Sequence, residues 1–259
     1  MMNTRKPERA IIGTAALVFA ASTAVTIAWC SSMSAMPGME MPGGWTMSMT
    51  WMRMPGQSWT GAAATFLGMW IVMMIAMMLP VLAPMLLRYQ RAVGPEGATR
   101  LARLTIVVAA AYFLIWTLLG LAVYPVGVAL AEAAMTRPSL ARATPFAFGL
   151  VVLITGLLQF TSWKARQLAC CRANPAQGLR SDSGTAFRHG LKLGIRCIRC
   201  CLGPTAILLC LGVMDLRAMT IVTAAIALER LSPAPLRLAH LTGAVATAAG
   251  LWLIVHAVL

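Results

Sequence analysis

Between Met33 and Met54 the chain carries eight methionines in twenty-two residues: Met33, Met36, Met39, Met41, Met47, Met49, Met52 and Met54. Pro37, Gly38, Pro42, Gly43 and Gly44 interrupt this stretch, so the sequence reads as flexible chain rather than a packed helix. A thioether is a soft, neutral ligand that suits Cu(I), whereas Ca²⁺ and Mg²⁺ want oxygen. Glu40 is the only acid in the stretch, which argues against a hard-metal site. The competing reading is an interfacial segment whose methionines rest on lipid headgroups with Trp45, Trp51 and Trp59.

Thiols form a second soft-ligand group. Five of the seven cysteines gather as Cys170-Cys171 and Cys197-x-x-Cys200-Cys201. On a helix, Cys197 and Cys201 share a face and Cys200 flanks them. Arg172, Lys192, Arg196 and Arg199 surround the group, and nearby positive charge favours the thiolate that binds metal. Four readings follow: Cu(I) or another soft ion, structural Zn²⁺ with two cysteine pairs, thiol redox, or no ligand. Vicinal disulfides need unusual backbone geometry, which weighs against redox. Between the two sulfur groups lies a third set. Met69, Met73 and Met77 recur every four residues, with Met74 and Met78 beside them; Pro80 and Pro84 bend that helix. This stripe is either a ladder for Cu(I) exchange or flexible core filler. Cys30 is placed to join the outer methionines, and Cys210 with Met214 reads as packing.

The elements that must position these groups are membrane helices. The chain has 259 residues, 59% hydrophobic and 11% charged, against roughly 25% charged in a soluble domain. A net charge of +14 suggests nucleic acid, but basic–aromatic interleaving is absent and membrane topology explains the charge. Uncharged runs lie at 10–29, 61–87, 104–131, 144–163, 201–228 and 241–259, the fifth interrupted by Asp215 and Arg217. The expected fold is all-α: a polytopic transmembrane helix bundle of about six spanning helices with both termini cytoplasmic. With the N-terminus inside, fifteen Lys/Arg fall inside and five outside, Glu229-Arg230 marking an outer helix end. The expected organisation is an N-terminal transmembrane helix over 1–30 and a periplasmic Met-rich segment over 31–60. The bundle follows over 61–259, with a cytoplasmic basic, cysteine-containing loop at 164–200. Alternatively, the fifth span splits at Asp215-Leu216-Arg217 into a re-entrant hairpin. Asp215 reads either as a permeation or proton-coupling carboxylate or as a sign that the chain reaches the interface there.

Trp70–Pro80 (WIVMMIAMMLP), Gln159–Arg172 (QFTSWKARQLACCR), Gly190–Gly203 (GLKLGIRCIRCCLG) and Gly212–Met219 (GVMDLRAM) carry a family resemblance. Over roughly 61–231 the chain resembles a bacterial family of predicted metal-binding integral membrane proteins whose function is unknown. The resemblance implies a metal role without fixing ligands.

The expectation is a multi-pass protein of the bacterial inner membrane that binds and handles a soft metal, most of all Cu(I). Ligands would come from Cys170, Cys171, Cys197, Cys200, Cys201, the eight outer methionines, Met73 and Met77. Partners would be the bilayer, the ion and a metallochaperone or cuproprotein, with no nucleic acid. No Ser/His/Asp set, carboxylate pair, P-loop or dinucleotide motif points to an enzyme. The rivals are a thiol-redox or assembly factor using paired cysteines and a scaffold with structural zinc.

Overall fold

The computed structural model describes residues 5–34, 38–53, 56–94, 96–173 and 180–259. Eight helices carry the chain: α1 (Arg5–Ser34), α2 (Trp59–Val93), α3 (Ala98–Thr136), α4 (Pro138–Leu158), α5 (Ser162–Arg172), α6 (Ser183–Leu211), α7 (Leu216–Leu231) and α8 (Pro235–Val258). Six of them, all but α5 and α7, are long and apolar enough to cross a membrane. An all-α polytopic bundle is therefore what the sequence forms.

The ends of the helices follow from local chemistry. Ser58 accepts from the backbone N–H of Gly61, Thr161 from Lys164, Asp182 from Thr185, and Asp215 from Arg217 and Ala218. Each satisfies donors that the first helical turn leaves open. The bonds from Thr185 hold the exposed Asp182 carboxyl below the usual carboxylate range. Pro138 and Pro235 open α4 and α8, where a missing N–H costs nothing.

Helix α2 forms the centre, with 61% of its apolar window buried against 39% or less for the other long helices. Its Trp70 and Tyr89 pack with Trp116 and Tyr112 of α3 and Leu208 of α6 in one continuous core. Outward, Leu17, Ile106, Leu130, Ile221, Val245 and Leu251 are more than half exposed. Exposed apolar side chains on helices that satisfy their own backbone suit a lipid surrounding.

Three expectations change. The segment 164–200 is largely helical rather than loop: α5 covers its start and α6 begins at Ser183. The Met-rich stretch is folded where it is described. Strands β1 (Met39–Met41) and β2 (Trp45–Met47) form an antiparallel hairpin, Met39 opposite Met47, and a 3-10 turn (Met49–Trp51) follows. Gly43 (φ 106°) and Gly44 (φ 73°) supply the left-handed backbone the turn requires.

The third change concerns topology. The expected fifth span breaks at Gly212 (φ 116°), and Asp215 starts α7 anew. At the break Met214 Sδ lies 3.9 Å from Cys30 Sγ, near the hairpin end of α1. At the far end of α7, Glu229 pairs with Lys164 of α5. The chain thus turns back along α7, a short helix folded against α6, and α8 returns antiparallel to α4. Gly149, Gly156 and Gly243 are packed against Ile254, Thr247 and Gln159 respectively, which fixes that direction. Hairpin and α4 meet where Trp45 bonds Ala141, so α8 ends at the hairpin end while α1 begins at the opposite one. The expectation that both termini share a side assumed one continuous fifth span. With the break, Arg230 and Arg237 move to the basic end, and Arg217, uncounted within the expected span, falls at the hairpin end. The asymmetry sharpens from fifteen against five to seventeen against four.

Candidate metal centre

Four thiols meet inside the bundle. Helix α6 supplies Cys197, Cys200 and Cys201, all at most 3% exposed, and α5 supplies Cys171 at 4%. Cys197 Sγ lies 3.9 Å from Cys201 Sγ and 3.9 Å from Met78 Sδ on α2. Cys171 Sγ donates to the Arg196 carbonyl at 3.2 Å, which seats α5 against α6 beside Cys200. The sulfur–sulfur separations exceed a disulfide bond of about 2.05 Å, and all seven cysteines are free thiols. Tyr112 Oη on α3 donates to Cys197 Sγ at 2.9 Å, and Arg230 Nη1 on α7 donates to the same sulfur at 3.1 Å.

A proline explains how α5 docks. Pro204 has no N–H, so the Cys200 carbonyl one turn earlier lacks its helical partner. Lys164 Nζ donates to that carbonyl at 3.0 Å and pairs with Glu229 Oε2 at 2.8 Å, each side chain only 3% exposed. Glu229 Oε1 also accepts from Gln159 Nε2 at 3.0 Å and Thr242 Oγ1 at 2.6 Å. The carboxylate is thereby held by Gln159, just past the end of α4, and by α5 and α8. The same device seats the hairpin: Pro145 frees the Ala141 carbonyl, which accepts from Trp45 Nε1 at 2.9 Å.

Charge in the cluster is uneven. Lys164 has its carboxylate. Arg230, 5% exposed, has none among the described residues, and its Nε and Nη2 find no acceptor. Its main-chain carbonyl takes Arg172 Nη1 at 3.1 Å, and Arg172 in turn accepts Arg88 through its own carbonyl at 3.1 Å.

A second sulfur group lies at the hairpin end. A cavity of about 120 Å³ is lined by Met33, Met49, Met52, Met69 and Met214 together with Trp29, Phe66 and Gln57. Cys30 stands beside it through its contact with Met214. From Met69 the α2 stripe continues inward through Met73, Met74 and Met77 to Met78, each at most 4% exposed. The stretch from Met69 to Met78 is about 14 Å long at 1.5 Å per residue.

The remaining expected ligands are placed as follows. Cys170 is exposed and stands apart from the buried thiols, since adjacent helical residues point about 100° apart. Met41 and Met47 are buried against Ala131, Ala134 and Ala141, where they pack the hairpin onto α3 and α4. Met39 is 40% exposed. Met36 and Met54 lie outside the described residues. Sequence reasoning missed Tyr112, Lys164, Glu229 and Arg230 at the centre; it set Met78 beside the stripe rather than among the ligands and read Met214 as packing. Asp215, weighed as a permeation carboxylate, is a helix cap.

The donor set at the centre is sulfur throughout. Among the described residues, no group of three or more His, Cys, Asp or Glu stands in a geometry that could hold a metal ion. Two thiols with a thioether alongside, Cys197, Cys201 and Met78, form an all-sulfur, soft donor set.

Comparison with known proteins agrees on the element. A family model described as PpoB2, copper chaperone, matches residues 67–253. The match runs from α2 to α8 and takes in Met69 through Met78, the four buried thiols and Arg230. It is a copper assignment and carries no statement about a membrane. No curated protein and no solved structure matches the chain. With well over half of its length matched, this chain belongs to the PpoB2 copper chaperone family.

Proposed function

We propose that this protein is a multi-pass component of the bacterial inner membrane that receives Cu(I) at its hairpin end and holds it at the buried thiols. The observation that carries this reading is the position of Cys197, 3.9 Å from both Met78 Sδ and Cys201 Sγ, at the inner end of the α2 methionine stripe. Neutral thioethers of Met33, Met49, Met52 and Met69 offer weak, exchangeable ligands. Cu(I) passes along Met73, Met77 and Met78 by ligand exchange, and the thiols of Cys197 and Cys201 retain it. Ligand strength rises along that path, which favours retention at the thiol end. Delivery onward to a soluble copper carrier or a copper enzyme completes the role, and no chemistry beyond ligand exchange is required.

The test is anaerobic Cu(I) loading of the detergent-purified protein followed by competition with a Cu(I) chelator. The Cys197→Ser/Cys201→Ser double variant is expected to lose the retained copper, while Cys170→Ser keeps it. Equal retention in all three proteins would overturn the proposed site.

A further inference from the structure

Resting on that reading, we infer that Arg230 sets the charge of the metal complex the thiol centre accepts, and so discriminates monovalent from divalent ions. Arg230 sits on the short helix α7, folded back against α6 by the break at Gly212. Its Nη1 contacts Cys197 Sγ at 3.1 Å. Its Nε and Nη2 are buried and unpaired. The one carboxylate nearby in sequence, Glu229, is taken by Lys164, Gln159 and Thr242. A guanidinium stays protonated, and an unpaired charge in a low-dielectric interior is costly. Among the described residues, the only groups positioned to supply its counter-charge are the thiols.

The charge count then decides between ions. Two thiolates on a monovalent ion carry −1, and Arg230 brings the site to zero. Two thiolates on a divalent ion carry zero, and Arg230 leaves +1 with no partner. A divalent ion on three thiolates would also carry −1. That complex lacks its geometry here, because no three such ligands among the described residues are arranged to hold a metal. Arg230 touches Cys197 from the α7 side while Met78 approaches from α2, so the cation stands beside the ligand sulfur rather than replacing it. In this role Arg230 is a positioning and selectivity residue, and it binds no metal itself.

The experiment compares the full-length protein with Arg230→Met, which keeps bulk and removes charge, and Arg230→Lys, which keeps charge. Each is loaded with Cu(I) or with Cd²⁺ and titrated against chelators of graded strength, giving the ratio of the two affinities. Arg230→Met is expected to lower the Cu(I)-to-Cd²⁺ ratio roughly tenfold or more, as removal of a buried charge partner does elsewhere. Arg230→Lys is expected to stay near the wild-type ratio. An unchanged ratio in Arg230→Met, with both affinities falling together or neither falling, overturns the inference and leaves Arg230 a packing residue. If Arg230→Met does not fold, Arg230→Lys decides: a kept ratio supports the inference and a lost ratio in a folded protein overturns it. The wild type separates the two levels. Failure to retain Cu(I) at all brings down the proposed function and this inference together. Retention with an indifferent ratio in Arg230→Met removes the inference alone.

Discussion

Arg230 Nη1 lies 3.1 Å from Cys197 Sγ, although the two residues are 33 positions apart and on helices joined by a break. The contact exists because Gly212 ends α6 and Asp215 caps α7, which sends the chain back alongside the thiols. A continuous helix over 201–228 would have carried Arg230 to the hairpin end. Its neighbour Glu229 faces a different set of partners: Gln159 just past α4, Lys164 on α5 and Thr242 on α8. Successive residues of one helix thus divide the positive and negative halves of the buried charge between two networks.

The Lys164–Glu229 pair ties α5 to α7, and α5 carries Cys171. Removing one member of a buried pair leaves an uncompensated charge, at about 3–5 kcal/mol. Lys164→Met is therefore expected to lower the thermal midpoint of the purified protein sharply. Lys164→Met/Glu229→Leu is expected to lie closer to wild type than either single variant. Thermal unfolding followed by helical circular dichroism makes the comparison, and an additive double variant would contradict a direct pair.

The methionines of the hairpin region separate into two jobs. Met33, Met49 and Met52 line the outer cavity, whereas Met41 and Met47 pack against Ala131, Ala134 and Ala141. Changing the first three to Leu is expected to slow Cu(I) loading several-fold with the final retained amount unchanged. Met41→Leu/Met47→Leu is expected to load at the wild-type rate, since Met and Leu are near in volume and the swap typically costs under about 1.5 kcal/mol. Stopped-flow loading against a coloured Cu(I) donor distinguishes them, and equal slowing in both would deny the division.

Helix α8 runs antiparallel to α4, so Val258 and Arg5 lie at opposite ends of the bundle. Reporter fusions at the two termini are expected to appear on opposite sides of the membrane. Reporters on one side would contradict that arrangement of the helix ends.

Gly190 and Gly194 let α6 approach α3 closely. A Cβ on Gly190 would press on the Val108 carbonyl, and one on Gly194 would lie 3.0 Å from the Tyr112 carbonyl. That approach sets Tyr112 Oη against Cys197. Overpacking of this kind costs about 1–3 kcal/mol. Gly190→Ala is expected to lower stability by that order and to weaken Cu(I) retention, read by the same chelator competition. Unchanged retention would show that the centre tolerates displacement of α3.

Much of this was legible in the chain. Uncharged runs gave the helices, and the i, i+4 spacing of Cys197 and Cys201 gave the face that the thiols share. The break in the fifth span was also written, as Gly212 followed by the capping Asp215, but a hydropathy run of that length outweighed it. Ranking the split at Asp215-Leu216-Arg217 second to a continuous span misplaced Glu229 and Arg230, and with them the charge of the centre. Lys164 was read as one more cation of a basic loop. Its partner carbonyl is exposed only by Pro204, an effect that needs both helices in place. Met78 rather than Met73 or Met77 touches Cys197 because the rotation of α2 against α6 decides it, and that rotation is a property of packing. Cys170 and Cys171 are chemically alike in sequence, and only the docking of α5 separates the exposed thiol from the buried one.

The most direct measurement is X-ray absorption at the copper edge on the anaerobically loaded, chelator-washed wild-type protein. The account predicts Cu(I) in a low-coordinate shell of sulfur alone, lost when Cys197 and Cys201 are both changed to Ser. A shell dominated by nitrogen or oxygen, or a sulfur shell that survives the double substitution, would contradict it.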